Sequence, residues 1–464
     1  MNIALTSLNF LDKGESFPPP SQSERLEDYR INEAKFSGVL NIDKKGYGQF
    51  VQLIGNKFNV VSYNTLINFY RLVSKKTADL LSVEPPDFVS DTAQDTVDEI
   101  VKNSNLKERI WESAIDADSK GTAIITARLI DEKGVLGVSQ PKYWYPVVNP
   151  IDAKEILYHV MAWVVTSKDD NGDEKKELFY QIHEKGQYTE GVKDLDSGVI
   201  GDLVGEEIVH KTGFSSFAIA TGDNITTTSS VFGISSYHDM YSLIDELQIR
   251  FEKIKHVLDK HSDPSMAGPT EALTFDEETG KYYFEIGQFY EENPDNKGSL
   301  RYITWDGKLE GSFREIEKII NLLAVISEMG AALFDLDGQS KELSGIAIRL
   351  LYTNALTKVR RIRNKFDATY KHMVEMVSEV GYKTPVTDLS ITWHDGLPND
   401  PKEDAEIAAI RTGGKATDSQ VSQIRKLDGL SEDDARARLA EINEENKARM
   451  STMPTDETEF FETE

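Results

Sequence analysis

The chain has 464 residues and a formal net charge of −27, the wrong sign for a protein that grips phosphate by counterion release, so tight nucleic-acid binding is excluded as its main task. It contains no cysteine, which excludes disulfides, thiolate metal sites and cysteine nucleophiles. No stretch approaches the roughly 18 consecutive apolar residues of a membrane span, and Met1 to Phe10 lack a basic start followed by an apolar run, so a soluble, unprocessed chain of two or three units is expected.

Pro18, Pro19 and Pro20, followed by Ser21 and Ser23, cannot continue a helix, so residues 1–24 are expected to form a flexible, extended arm. From residue 25 to about 118 the apolar spacing is helical, as in Leu66, Phe69, Tyr70, Val73 and Leu80, and the run stops at Pro85-Pro86. This segment is expected to be mainly α. Between Gly121 and Thr166 the texture changes to short β-branched and aromatic runs, Ala123 to Ala127 and Trp163 to Thr166, which read as strands. Asp170-Asn171-Gly172-Asp173 separates the second run from Leu178 to Ile182, and Asn-Gly suits the positive φ of a tight hairpin turn. Residues 184–235 are rich in Gly, Ser and Thr and read as loops and short strands.

From Ser236 the spacing is helical again, and Met240, Ile244, Leu247, Phe251, Ile254 and Leu258 form a seam for packing on another helix. Ser262-Asp263-Pro264 ends that rod. A second rod over 313–333 sets Ile316, Ile319, Leu323, Ile326, Gly330 and Leu333 on one side. The two bracket residues 263–312, a small α/β insertion whose strands are Tyr282 to Ile286 and Leu300 to Trp305. A third helix, over 345–380, keeps a 3.6-residue period through Ile348, Tyr352, Ala355, Val359, Ile362, Phe366, Tyr370, Met373 and Val377, a span of roughly 54 Å. A strand at Ile391-Thr392-Trp393 and short helices follow, the last opened by Ser431 with Asp434 three residues on, the spacing of a capping box. An acidic, Thr-rich tail from Ser451 is expected to be disordered. The class is α+β.

The motifs of enzymes are missing. No Gly-Lys-Ser or Gly-Lys-Thr occurs, and Gly414-Lys415-Ala416 lacks the hydroxyl that would hold magnesium, so any ATPase must be a partner. Gly46-Tyr47-Gly48 lacks the third glycine of a dinucleotide loop. None of the eight histidines falls in a His-Glu-x-x-His pattern. Asp335-Leu336-Asp337-Gly338 starts like a calcium loop, but its glycine comes two positions early and Ile346 stands where a bidentate Glu is needed. No metal and no cofactor are expected.

The order is an α/β segment, a rod, a small insertion, a second rod, a polar loop, a very long helix and a helical C-terminal piece, and it resembles tailed-phage portal proteins. Local strings in three regions carry the resemblance: Tyr29 to Ala34 with Asn68 to Val73 and Leu80 to Pro86 near the start, Leu343 to Arg349 in the middle, and Gly413-Gly414 through Ser419 with the helix to Asn446 toward the end. The resemblance implies a wing at 25–235, stem helices at 236–262 and 313–333 and a clip at 263–312. It further implies a tunnel loop at 334–344, a long wing helix with return strand at 345–399, a crown at 400–450 and the tail at 451–464. It implies a non-enzymatic subunit of a dodecameric ring at one capsid vertex, assembled in the host cytoplasm among major capsid and scaffold proteins. The clip would dock terminase and then head-completion or neck proteins, and double-stranded DNA would pass the centre without sequence-specific binding. The alternatives are another ring-forming connector or scaffold protein and, from a different class, a nucleic-acid-processing enzyme. Connectors are generally much shorter, and no catalytic carboxylate set is visible.

On this reading Met240, Ile244, Leu247, Phe251, Ile254, Leu258, Ile316, Ile319, Leu323 and Ile326 pack the stem. Tyr282, Tyr283, Phe289, Tyr290 and Trp305, of types enriched in interface cores, form the clip's partner surface. Asp335, Asp337, Gln339, Lys341 and Glu342 line the tunnel loop, where acids outnumber the lone lysine and would repel DNA as an acidic collar. The basic cluster Lys358, Arg360, Arg361, Arg363 and Lys365 spans more than two helical turns, so solvated faces and inter-subunit ion pairs are favoured over a DNA-facing patch.

Overall fold

A computed structural model describes residues 4–39, 49–54, 57–62, 67–131, 133–168, 174–184, 186–211, 219–221, 231–262, 265–268, 274–277, 280–283, 289–291, 301–303, 309–334, 349–394, 401–414, 416–428 and 430–451. The chain divides into two units, Met1–Gly338 with Leu351–Gly396, and Gln339–Leu350 with Leu397–Glu464.

The first unit opens with helix α1 (Ser23–Ser37), which Gly38 closes in the left-handed conformation, and the hairpin β1 (Gln49–Ile54) and β2 (Lys57–Ser62). The segment 25–118 is mainly helical, as its spacing predicts, and this hairpin is the part of it that the spacing does not show. The hairpin's apolar residues, Phe50, Val51, Leu53 and Ile54 with Phe58, Val60 and Val61, are of strand-forming types. Helix α2 (Phe69–Ser82) follows, opened by the Asn68 side chain, which accepts from the Arg71 N–H at 2.9 Å. Strand β3 (Asp87–Val89), α3 (Gln94–Asn103) and α4 (Leu106–Lys120) come next, and the left-handed Gly121 ends α4.

Two antiparallel sheets then form. Strands β4 (Thr122–Ile130), β5 (Lys133–Ser139) and the later β12 (Ile219–Thr221) make one, in the order β12-β4-β5. The other holds β6 (Trp144–Val148), β7 (Ile156–Lys168), β8 (Glu174–Glu184), β9 (Gln187–Asp196) and β10 (Val199–Leu203) in sequence order, with β11 (Ile208–His210) also paired to β9. The expected hairpin is there: β7 pairs with β8 out to Lys168 opposite Glu174. Its turn, 169–173, lies outside the described residues.

Residues 184–211 hold the expected short strands β10 and β11, but with less loop than expected, because β9 runs unbroken through Gly191. This glycine reads as a chain break, yet it sits mid-strand because Tyr180 crosses it; a Cβ there would lie 2.4 Å from the Tyr180 hydroxyl oxygen.

The N-terminal arm is likewise not free. Residues 4–22 form a strap across the larger sheet, bonding Leu5 O to Val148 N (2.8 Å) at one edge, and Gly14 N to Ile200 O (2.8 Å) and Ile200 N to Glu15 O (2.9 Å) at the other. Phe10, Leu11 and Phe17 enter a core with Tyr145, Val147, Val160, Leu178, Tyr180, Leu195 and Ile200. The prolines do forbid a helix, but an extended segment with apolar residues still has sheet edges to satisfy.

Helix α5 (Tyr241–Ser262) leads to short strands β13 (Ser265–Gly268), β14 (Thr274–Asp276), β15 (Lys281–Tyr283), β16 (Phe289–Glu291) and β17 (Arg301–Ile303). β13 lies between β16, parallel, and β17, antiparallel, and β14 pairs with β15. Helix α6 (Glu310–Ile326) stops earlier than the expected rod because Glu328 and Gly330 take positive φ and the Gly330 N–H returns to Ala324 O at 3.0 Å. The long helix, expected from 345, runs as α7 (Thr353–Tyr382) after a break at Tyr352, and the return strand β18 (Ser390–Thr392) pairs with β3.

The second unit contains α8 (Pro401–Thr412), α9 (Gln420–Asp428) and α10 (Glu432–Ser451). Ser431 caps α10 as its spacing predicts: its Oγ accepts from the Asp434 N–H at 3.2 Å and donates to the Asp434 carboxylate at 2.7 Å. The tail 452–464 lies outside the described residues.

Candidate functional site

The α5–α6 pair and the point where it is rooted concentrate the features that the rest of the fold does not need. Met240, Ile244, Leu247 and Ile254 are buried on one side, and Ile316, Ile319 and Leu323 on the other; Phe251 is half-buried. Leu258 and Ile326 are 47% and 41% exposed in the single chain. The register explains Leu258. The helices run antiparallel, with Arg250 bonded to Glu315 at 3.0 Å, so Leu258 falls beyond the first turn of α6. Ile326 belongs instead with Leu322 (50% exposed) and Val325 (72%) to an outward apolar face on α6.

The root of the pair is a buried ion pair, Lys358 of α7 with Asp118 of α4, Nζ to Oδ1 3.3 Å, both side chains almost fully buried. Asp118 accepts from the hydroxyls of Ser74 (2.7 Å), Thr77 (3.3 Å) and Ser236 (2.8 Å). The Tyr237 hydroxyl meets Ser74 Oγ at 2.7 Å. Lys358 also donates to Ser327 O (3.2 Å), just past the end of α6, and to Ser236 Oγ (3.4 Å), just before α5. Five helices thus meet at one charge pair, and every carboxylate oxygen is satisfied, which is what keeps a buried charge from unfolding its surroundings.

In the rest of the basic cluster Arg360 and Arg361 are exposed, as the solvated-face reading expects, and Arg363 departs from it. Arg363 is buried and donates to the carbonyls of Leu80 (2.8 Å) and His394, its guanidinium 5.9 Å from the Trp393 ring centre. Arg361 pairs with Glu328. Two of the five cations therefore hold the first unit together from inside, where neither DNA nor solvent reaches. Sequence reasoning missed them although a signal existed: Lys358 and Asp118 fall within the apolar stripes of their helices, next to Ala355 and Val359 and to Ala114 and Ala117.

Of the other expected site residues, Tyr282 and Tyr283 lie in β15 and Phe289 and Tyr290 in β16. Asp335, Asp337, Gln339, Lys341, Glu342 and Trp305 lie outside the described residues.

One further cavity, of about 480 Å³, lies between β4–β5 and the face of β7, β8, β9 and β11, lined by Arg128, Trp163, Gln181, His183, Tyr188 and His210 among others. Tyr188 stacks between His183 (5.0 Å) and His210 (4.3 Å). Burial pushes His183 down to about 3 and its cross-strand neighbour His159 down to about 4, helped by the nearby charges of His159 and His372 respectively. Both imidazoles are neutral near pH 7, which suits packing and not proton transfer. Among the described residues no group of three or more His, Asp or Glu could hold a metal ion.

A family model described as "Phage portal protein, SPP1 Gp6-like" matches residues 57–450. Among curated proteins there is no match. Among solved structures, a chain from the neck of a native GTA particle computed with C12 symmetry is 12% identical, covering 78% of this chain and 88% of that one with a TM-score of 0.41. A chain from the neck of an empty GTA particle computed with C6 symmetry is also 12% identical, covering 77% and 89% with a TM-score of 0.43.

Proposed function

The chain belongs to the SPP1 Gp6-like family of phage portal proteins, whose model spans residues 57–450, and from that premise we propose that it closes into a ring at one capsid vertex through which double-stranded DNA is packaged and later ejected. As a portal protein it is a structural connector of the virion and not an enzyme. The family match is the observation that carries the reading. The outward apolar face of α6, Leu322, Val325 and Ile326, supports ring closure, because identical subunits joined head-to-tail bury one patch of each subunit against a different patch of the next, beyond their own cores.

In this reading the α5–α6 pair is the stem, residues 263–312 are the clip that meets terminase and then neck proteins, and 334–344 is the channel loop. The net charge of −27 supports passage over retention, since an acidic wall makes no phosphate contacts that would brake a duplex. Negative-stain microscopy and light scattering of the purified protein test the proposal. A closed ring with a central channel is expected; a 52.2 kDa monomer at every concentration, with no ring even when scaffold or procapsid is supplied, would overturn it.

A further inference from the structure

Resting on the portal reading of the α5–α6 pair, we infer that Lys358 is a positioning residue: its buried ammonium is the joint that fixes the angle between the α5–α6 pair and the α2–α4–α7 body, so that displacement of one is passed to the other while DNA moves.

The joint follows from which elements supply the partners of Lys358 and of Asp118. Ser327 O terminates α6, and a cation there both satisfies a carbonyl left without an intrahelical partner and faces the negative end of the helix dipole. Ser236 leads into α5, and its backbone N–H donates to Asp118 O at 2.9 Å while its hydroxyl sits between Asp118 and Lys358. Asp118 belongs to α4 and ties in Ser74 and Thr77 of α2. Arg361, almost one turn along α7 from Lys358, repeats the link to the end of α6 at the surface through Glu328. Lys358 thereby bonds at one charge to both roots of the α5–α6 pair, the approach to α5 and the end of α6. Further along, α5 is also tied to the body by Tyr241, whose hydroxyl donates to Asn32 Oδ1 at 2.5 Å, and by Gln248, which bonds the Ile67 backbone O (2.6 Å) and N–H (3.3 Å), but these bonds do not reach α6.

Packing alone does not account for this choice. A buried ion pair is weak support for stability, since apolar residues of similar volume often do as well, and its attested use is to specify one geometry among several. Removing only Lys358 would leave Asp118 charged and buried, so the informative variant neutralises both: Lys358→Met with Asp118→Asn, which keeps an acceptor for the Ser74, Thr77 and Ser236 hydroxyls.

The chain has no cysteine, so Asn321→Cys on α6 and Asn364→Cys on α7, both exposed, take nitroxide labels cleanly. In assemblies diluted with unlabelled chain, pulsed electron resonance should give one narrow distance for the otherwise native protein. In the neutralised pair the distribution should broaden or shift by at least about 2 Å, the scale of helix displacement at a bistable contact. DNA packaging should fall at least about fivefold, the low end of a typical coupling, while the particles seen by microscopy and the thermal midpoint stay near those of the parent. Lys358→Arg, which keeps the charge and the donors, should restore both readouts. An unchanged distance overturns the inference, whatever happens to packaging. Should the neutralised pair not fold, amide exchange of the unaltered protein decides: residues 236–240 and 327–330 opening as one unit supports the joint, and independent opening overturns it. A chain that forms no ring would sink the portal reading, but the distance measurement would still judge the joint.

Discussion

Gly233 and Gly121 meet backbone to backbone: a Cβ on Gly233 would lie 1.7 Å from Gly121 O, and Gly121 itself holds φ +76°. No side chain can be absorbed there without moving the 231–236 segment off the end of α4, and with it the bonds of Ser235 to Ser119 O (2.5 Å) and of Ser236 to Asp118. Gly233→Ala should therefore cost about 3 kcal/mol in urea unfolding, at the upper end of single substitutions; a change under about 0.5 kcal/mol would show that the segment is free to shift. The two buried imidazoles make a second prediction at this scale. Their folded pKa values, about 4 for His159 and about 3 for His183, lie below the ordinary 6.5, so the unfolded chain binds protons first as pH falls. Their contribution is complete above pH 6.5 and is lost progressively as pH falls toward 4 and then 3, by up to about 3 kcal/mol for His159. Thermal midpoints measured from pH 7 to pH 4 should fall less steeply for His183→Gln than for the parent, and parallel curves would remove the imidazoles from the acid response.

Elements whose local pattern agreed with their tertiary place were legible from sequence. The β7–β8 hairpin is announced by the β-branched and aromatic runs on either side of Asn171-Gly172, the start of α10 by Ser431 and Asp434, and most of α5 by its seam. What could not be read depends on partners distant in sequence. The strap is one case, because Pro18 to Pro20 say only that a segment is extended, and its pairing with β6 and β10 spans more than a hundred residues of chain. Gly191 is another, since its meaning is set by Tyr180 on the next strand. The Lys358–Asp118 joint is the third, two single charges 240 positions apart. The strap lies before residue 57, where the family match begins, and it covers both edges of the six-stranded sheet. Phe17, whose ring lies 5.3 Å from that of Tyr145, anchors it. Phe17→Ala should cost about 3 kcal/mol through the cavity it leaves, and pairing it with Phe10→Ser should uncover the sheet edges. Light scattering on warming should then rise well before the parent's, and an unchanged aggregation onset would mean the strap merely lies on the sheet.

At the scale of the whole molecule, acidity and assembly pull against each other. In the proposed ring each subunit would bring a net charge of −27, so closure would accumulate like charge, and apolar contact such as the outward face of α6 is the attraction proposed to oppose it. Salt separates these two terms, because at about 0.5 M the screening length is only a few ångströms and repulsion between neighbouring subunits is largely removed, whereas apolar burial is not weakened. Rings should therefore persist to lower protein concentration as sodium chloride is raised from about 50 mM to about 500 mM, read by sedimentation velocity. Val325→Asp places another negative charge on the apolar face at a position already 72% exposed in the single chain, so the subunit's own fold should not suffer. The variant should keep the parent's circular dichroism and sediment as smaller species at low salt. A ring that came apart on adding salt would mean that ion pairs between subunits hold it, and α6 would lose its place at the interface.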